Sequence, residues 1–127
     1  MTASTAQQGC IFCRIVTGRA PATVVREWPD AIAILPHGGV TPGHVLVIPR
    51  DHVADASVCP EISARTMARA AELMAEHPAA NIITSRGSAA TQTVFHLHIH
   101  VVPRAADDNL PLPWTPQQTA RETGGIR

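Results

Sequence analysis

The chain has 127 residues, 45% hydrophobic and 16% charged, and its ten basic and ten acidic residues leave no formal net charge. That is one globular domain, long enough to bury a modest core without disulfide staples. No apolar run nears the roughly 20 residues of a membrane span, and a general nucleic-acid binder would carry a basic surplus that this chain lacks.

Residues 1–9 read as a loose polar tail, with neither the basic head nor the apolar stretch of a signal peptide. Residues 11–17 form a short amphipathic helix, stopped by Gly18 and Pro21. Residues 24–27 and 31–35 flank the turn Trp28-Pro29-Asp30 as a hairpin. Residues 36–43, rich in Pro and Gly, are a loop, and residues 44–48 a strongly apolar strand closed by Pro49.

Residues 60–77 are the one long helix. Pro60 suits its first turn and Pro78 ends it. Ile62, Met67, Ala70, Ala71, Leu73 and Met74 mark an apolar face, with Arg65, Arg69, Glu72 and Glu76 mostly opposite. A strand over 81–85, a small-residue loop over 87–90 and a strictly alternating strand over 95–102 follow. Beyond Pro103 the chain is polar and carries Pro111, Pro113 and Pro116, which predicts an extended tail. The expected organisation is a tail over 1–9, one domain over 10–104 and a Pro-rich tail over 105–127. One long helix supplies too few crossovers for a parallel sheet. The fold class is therefore α+β: an antiparallel sheet with one long helix and a short N-terminal helix.

Every basic residue is Arg, which removes lysine Schiff-base and P-loop chemistry. The three Cys are an odd number and two sit as Cys10-Ile11-Phe12-Cys13, unlike a secreted disulfide framework. The expected compartment is the cytoplasm, with these two as thiols or metal ligands; a lone CxxC also marks redox pairs.

The strongest signal is His96-Leu97-His98-Ile99-His100-Val101-Val102. Alternate side chains of a strand share a face, so the three imidazoles point one way and Leu97, Ile99 and Val101 point into the core. Neutral imidazole serves as nucleophile, base or metal ligand near pH 7. Strand spacing holds the three too far apart to share one ion, although one of them can join a site built from elsewhere.

This run resembles the signature of the histidine triad (HIT) family. The segment Thr41-Pro42-Gly43-His44-Val45-Leu46-Val47-Ile48-Pro49-Arg50-Asp51-His52 and the opening Cys10-Ile11-Phe12-Cys13-Arg14-Ile15 resemble the corresponding segments of its zinc-bearing members. The resemblance spans roughly 10–103. It implies an antiparallel sheet with helices, pairing as a homodimer, and a nucleotide as substrate. It further implies nucleotidyl transfer or hydrolysis at an α-phosphate, on a phosphoramidate, a nucleotide conjugate or a dinucleoside polyphosphate, through a nucleotidyl-histidine at His98. His98 must then present a lone pair, so its other nitrogen should donate to a fixed acceptor such as a backbone carbonyl. His100 and His44 match the phosphate-side histidines and would act as donors to the non-bridging oxygens. The alternative is a zinc-stabilised nucleotide-binding module with little turnover.

The family pattern before the triad places Gly87, Ser85, Thr91, Gln92 and Thr93 at substrate-binding positions. Ser85 stands where Asn or Gln is usual and Thr91 where Gly is usual. Thr93 either offers a hydroxyl toward the leaving group or is an ordinary β-branched strand residue. Pro36 replaces an acidic or amide residue that holds the ribose hydroxyls in the family, and proline has no side-chain acceptor. Cys10, Cys13, His52 and His96 match a structural zinc set, two thiolates and two imidazoles being a closed tetrahedral group. Trp114 in the tail is either a surface anchor or, as in some relatives, an arm to the partner subunit's site.

Overall fold

The computed structural model describes residues 7–115. The expected tail residues 1–6 and 116–127, Pro116 among them, lie outside the described residues. Along the chain come α1 (Ile11–Val16), β1 (Val24–Glu27), β2 (Ala31–Ile34), β3 (Val45–Pro49), α2 (Pro60–Met74), β4 (Ala80–Ile83), a 3-10 turn (Ser88–Ala90) and β5 (Ile99–Pro103). The strands form one antiparallel sheet in the order β1-β2-β3-β5-β4. The α+β architecture read from the sequence is the one observed. No helix among the described residues is long and apolar enough to cross a membrane.

The register explains why β2 and β3 are apolar at every position. Ala33 pairs with Val47, and Val47 with Ile99, which puts these residues on one face together with Ala31, Val45 and Val101. That face packs under α2 through Ile62, Ala70 and Leu73. Ile32 pairs with Ile48, Ile34 with Leu46, and Leu46 with His100, on the opposite face. There Phe12 of α1 closes a second small core over Ile32, Ile34, Leu46 and Ile48. Both faces of the central strands are thus covered, which removes the polar alternation of a half-exposed sheet.

Two expectations need correction. The inward face of α2 carries Ile62, Thr66, Ala70 and Leu73, whereas Met67 is 42% exposed and Ala71 also faces out. Spacings of four, four and three residues follow the 3.6-residue turn. Thr66 joins this face because its hydroxyl donates to the Ile62 carbonyl at 2.7 Å and so needs no other partner. The last strand begins at Ile99 and not near Phe95. Residues 95–98 are drawn into other bonds: the Leu97 N–H donates to the Val53 carbonyl at 2.7 Å, and the His98 carbonyl accepts from Thr84 Oγ1 at 2.8 Å.

The hairpin is tied to α2 by Arg69, which donates to Asp30 at 3.0 Å, and by the Trp28 indole, which donates to Glu72 at 3.0 Å. After β5, Arg104 holds Asp108 at 2.8 Å and Asn81 at 2.6 Å. Asp108 in turn accepts from the N–H groups of Ala105 and Leu110. The first residues beyond the domain therefore fold back onto it. Trp114 is 53% exposed.

Candidate functional site

Leu97, Ile99 and Val101 are buried beneath α2, which leaves His96, His98 and His100 on the side of the sheet that carries α1. The His98 and His100 ring centroids are 5.3 Å apart. Phe12 stands edge-on to both His96 and His98, at 5.9 and 5.1 Å. The three imidazoles nonetheless have different surroundings. His96 is fully buried, while His98 and His100 are partly open.

Each ring's partners dictate which nitrogen carries its proton. His98 Nδ1 lies 2.8 Å from the His96 carbonyl, an acceptor only. His98 therefore holds its proton on Nδ1 and presents a lone pair at Nε2. His44 Nδ1 accepts the Val40 N–H at 3.1 Å, so its proton sits on Nε2 and is donated to His100 Nδ1 at 3.0 Å. His100 then carries its own proton on Nε2. The result is a lone pair on His98 beside an N–H on His100. Both nitrogens of His44 are engaged, so it acts on His100 and has no free N–H for a ligand. Burial, reinforced by the neighbouring His98 and His44, pushes His100 down to about 4. Burial also lowers His44. Both are thus kept neutral near pH 7.

His96 leaves the triad for another site. Its Nε2 donates to the Pro49 carbonyl at 2.9 Å, which turns the Nδ1 lone pair toward Cys10, Cys13 and His52. The four donor atoms lie within 4.8 Å of one another, and the separations given by their contacts are 3.2–3.5 Å. A tetrahedral ion with bonds of about 2.0–2.3 Å would hold nitrogen and sulfur donors roughly 3.3–3.8 Å apart. The group fits a metal ion by both donor chemistry and spacing. Burial pushes His96 down to about 4 and lowers His52, as metal-binding imidazoles require. Burial also raises the Cys13 thiol, so its surroundings do not favour the thiolate and a bound cation would have to draw off the proton. Cys10 caps α1 as well, accepting the Cys13 N–H at 3.3 Å. The helix that carries Phe12 therefore starts at the Cys₂His₂ group.

The loop before the triad is built inward. Gln92 is buried; its side-chain oxygen accepts the Gly87 N–H at 2.8 Å, and its amide donates to the Ala54 and Val94 carbonyls at 2.8 and 3.0 Å. Both of its N–H donors and one of its two acceptor positions go to backbone groups. Thr91 takes the left-handed conformation, φ +71°, where a β-branched residue is strained. Gly87, at φ +92°, has open space where a Cβ would stand. Ser85 is half-buried at the entry to this loop. Thr93 is exposed and lines an open concavity of about 490 Å³ with Gln7, Cys10, His52, Val94 and Phe95. Pro36 lies near His44: a Cβ at Gly39 would meet both residues, at 3.4 and 3.5 Å.

Sequence reasoning passed over two contributors. Phe12 lies within the CxxC segment, and nothing in a buried aromatic's spacing announces which ring it will touch. The Val40 N–H is a backbone group, invisible to side-chain motifs.

A nucleophile-competent imidazole beside an imidazole N–H, mounted on an antiparallel sheet next to a Cys₂His₂ group, defines a histidine-based α+β protein. The family model described as HIT domain matches residues 17–107. An uncharacterised HIT-like protein of Mycobacterium tuberculosis is 39% identical over 108 residues, covering 80% of this chain and 75% of that one. Adenylylsulfatase HINT3 of Arabidopsis thaliana is 29% identical over 127 residues, covering 94% of this chain and 63% of that one. Among solved structures, a HIT family hydrolase from Clostridium thermocellum matches with a TM-score of 0.72 at 30% identity, over 80% of this chain and 95% of that one. A zinc-bound histidine triad family protein from Mycobacterium smegmatis matches with a TM-score of 0.72 at 36% identity, over 87% and 86%. The chain belongs to the HIT family, and at the coarse level it stands with that family's hydrolases and transferases.

Proposed function

We propose that the protein cleaves nucleotides at the α-phosphate through a nucleotidyl-histidine intermediate on His98. One observation carries this reading: the His96 carbonyl accepts the Nδ1–H of His98 and so leaves its Nε2 lone pair free. In the first step a bond forms between His98 Nε2 and the α-phosphorus while the bond to the leaving group breaks. In the second, a water oxygen bonds to phosphorus and the His98–phosphorus bond breaks; the proton the water sheds to solvent balances the one the leaving group takes up from solvent in the first. His100 Nε2–H donates to a non-bridging oxygen in both steps, and a donor already aimed at developing charge needs no reorganisation. A covalent route replaces one difficult displacement by two easier ones.

Cys10, Cys13, His52 and His96 would hold a structural Zn²⁺. When bound, the ion joins the start of α1 to the segment leading into the triad. The chain would act as a homodimer; β4 is an edge strand, and Ile83 on it and Met67 on α2 are exposed apolar residues available for such a contact. Cys10 and Cys13, which form no disulfide, accord with the cytoplasm.

A second reading, a zinc-stabilised nucleotide-binding module with little turnover, draws on Gln92, whose amide is spent on the backbone, and on Pro36, which offers no side-chain acceptor. Intact-mass spectrometry separates the two readings. The purified protein is mixed with adenosine phosphoramidates, diadenosine polyphosphates, sugar nucleotides or adenylyl sulfate and quenched without acid. An AMP-sized adduct present in the parent and absent from His98→Ala supports the enzyme. AMP binding with neither adduct nor product in either form supports the module.

A further inference from the structure

The loop over residues 36–43 joins β2 to β3 and bonds to His44 through its backbone. Its Val40 N–H reaches His44 Nδ1 at 3.1 Å. Its Thr41 carbonyl accepts the His44 N–H at 3.1 Å. The Thr41 hydroxyl donates to the carbonyl of Pro103 at 2.8 Å, at the end of the strand that carries His100. Gly43 adopts φ +86° at the same place, where a Cβ would come within 3.2 Å of the Pro103 ring. The loop is thus fastened to β5 by a hydroxyl that a methyl group can replace without changing the side chain's shape.

An imidazole can place its proton on either nitrogen, and in a chain of two rings the choice at the first sets the choice at the second. With the Val40 N–H on His44 Nδ1, protons lie on Nε2 of both His44 and His100. The reverse arrangement would set an Nδ1–H of His44 against the Val40 N–H and turn a lone pair of His100 outward. Phosphoryl oxygens only accept hydrogen bonds, so that lone pair would repel them.

We propose that Thr41 is a positioning residue for the reaction: its hydroxyl tethers the loop to β5, which keeps the Val40 N–H on His44 and makes His100 present an N–H to the phosphoryl group. The proposal rests on the nucleotidyl-transfer reading for its catalytic consequence. The tether itself can be read without substrate.

Thr41→Val keeps the side-chain shape and removes the hydroxyl, and Thr41→Ser keeps the hydroxyl. Long-range proton–nitrogen spectra of histidine-labelled full-length protein, with its metal and without nucleotide, show which ring nitrogens carry protons. In the parent, His44 and His100 are protonated on Nε2. In Thr41→Val the His44 Nδ1 signal loses its hydrogen-bonded position and both tautomers appear. With an adenosine phosphoramidate, kcat falls by roughly two- to tenfold, the bias one hydrogen bond supplies, while KM stays within about twofold. Thr41→Ser restores both readouts. The proposal is overturned by a parent spectrum with the His44 proton on Nδ1, by a Thr41→Val spectrum matching the parent, or by Thr41→Ser behaving as Thr41→Val. A parent without turnover would overturn the reaction reading, whereas the spectra judge the tether by themselves.

Discussion

Phe12 stands edge-on to His98, with ring centroids 5.1 Å apart and planes at 82°. It is flanked in sequence by Cys10 and Cys13 and buried against Ile32, Ile34, Leu46 and Ile48. The turn of helix that carries the two thiols of the Cys₂His₂ group thus also braces the ring with the free lone pair.

Phe12→Leu keeps an apolar side chain and removes that brace. The loss of aromatic contact and of volume should destabilise the protein by about 1–2 kcal/mol. Turnover should fall further than stability explains, because His98 gains rotational freedom while its Nδ1 bond survives. Urea denaturation and kcat on the same preparation check both parts; unchanged kcat alongside the stability loss would show that Phe12 only fills space.

Metal removal should unfold the site from its centre. Without an ion, the Nδ1 atoms of His52 and His96 stand 3.2 Å apart beside a buried thiol and have only one another and the thiols to bond to. An ion that binds only the native state stabilises it in proportion to the logarithm of its concentration over Kd. Elemental analysis should find one zinc per chain, and chelation should lower Tm by several degrees, with zinc restoring it. Cys13→Ser should bind zinc poorly and show a Tm that chelator no longer shifts.

His100 should make stability depend on pH in the acid range. Unfolded imidazole titrates near pH 6.5, whereas burial pushes folded His100 down to about 4. The fold therefore favours the neutral ring. Its contribution is fully present above about pH 6.5 and is lost as pH falls toward 4, amounting to about 1–3 kcal/mol for a partly open group. His44, also lowered by burial, adds in the same direction. Denaturation free energies measured from pH 7 to 4 should fall less steeply in His100→Gln than in the parent; parallel slopes would contradict the assignment.

Thr91→Gly should stabilise the protein. A β-branched residue at φ +71° carries strain of about 1–3 kcal/mol, part of which glycine's greater unfolded-state freedom offsets. The expected net gain is about 0.5–1 kcal/mol by chemical denaturation. Ala at the same position, which keeps a Cβ, should gain less.

Much of the fold was legible because local pattern and tertiary need agree. The turn at Trp28-Pro29-Asp30, the apolar run of β3 and the Pro60 start of α2 all appear where their residues point. Met67 misled because a methionine reads as core, yet the helical period puts the hydroxyl-bearing Thr66 inward in its place. The alternation over 95–102 assigned the correct sides to His98 and Leu97. It did not show that the ladder starts only at Ile99, since the Val53 carbonyl and Thr84 hydroxyl that divert the strand come from distant parts of the chain.

Residue types and their spacing were enough to identify the three imidazoles, the two thiols and the antiparallel α+β frame, because strand alternation is a local property of the backbone. Which ring joined the Cys₂His₂ group, which kept a lone pair and which an N–H was settled only in three dimensions. Those roles depend on the carbonyls of Pro49 and His96 and the N–H of Val40. A backbone group is the same in every residue, so only folding decides which ring it meets.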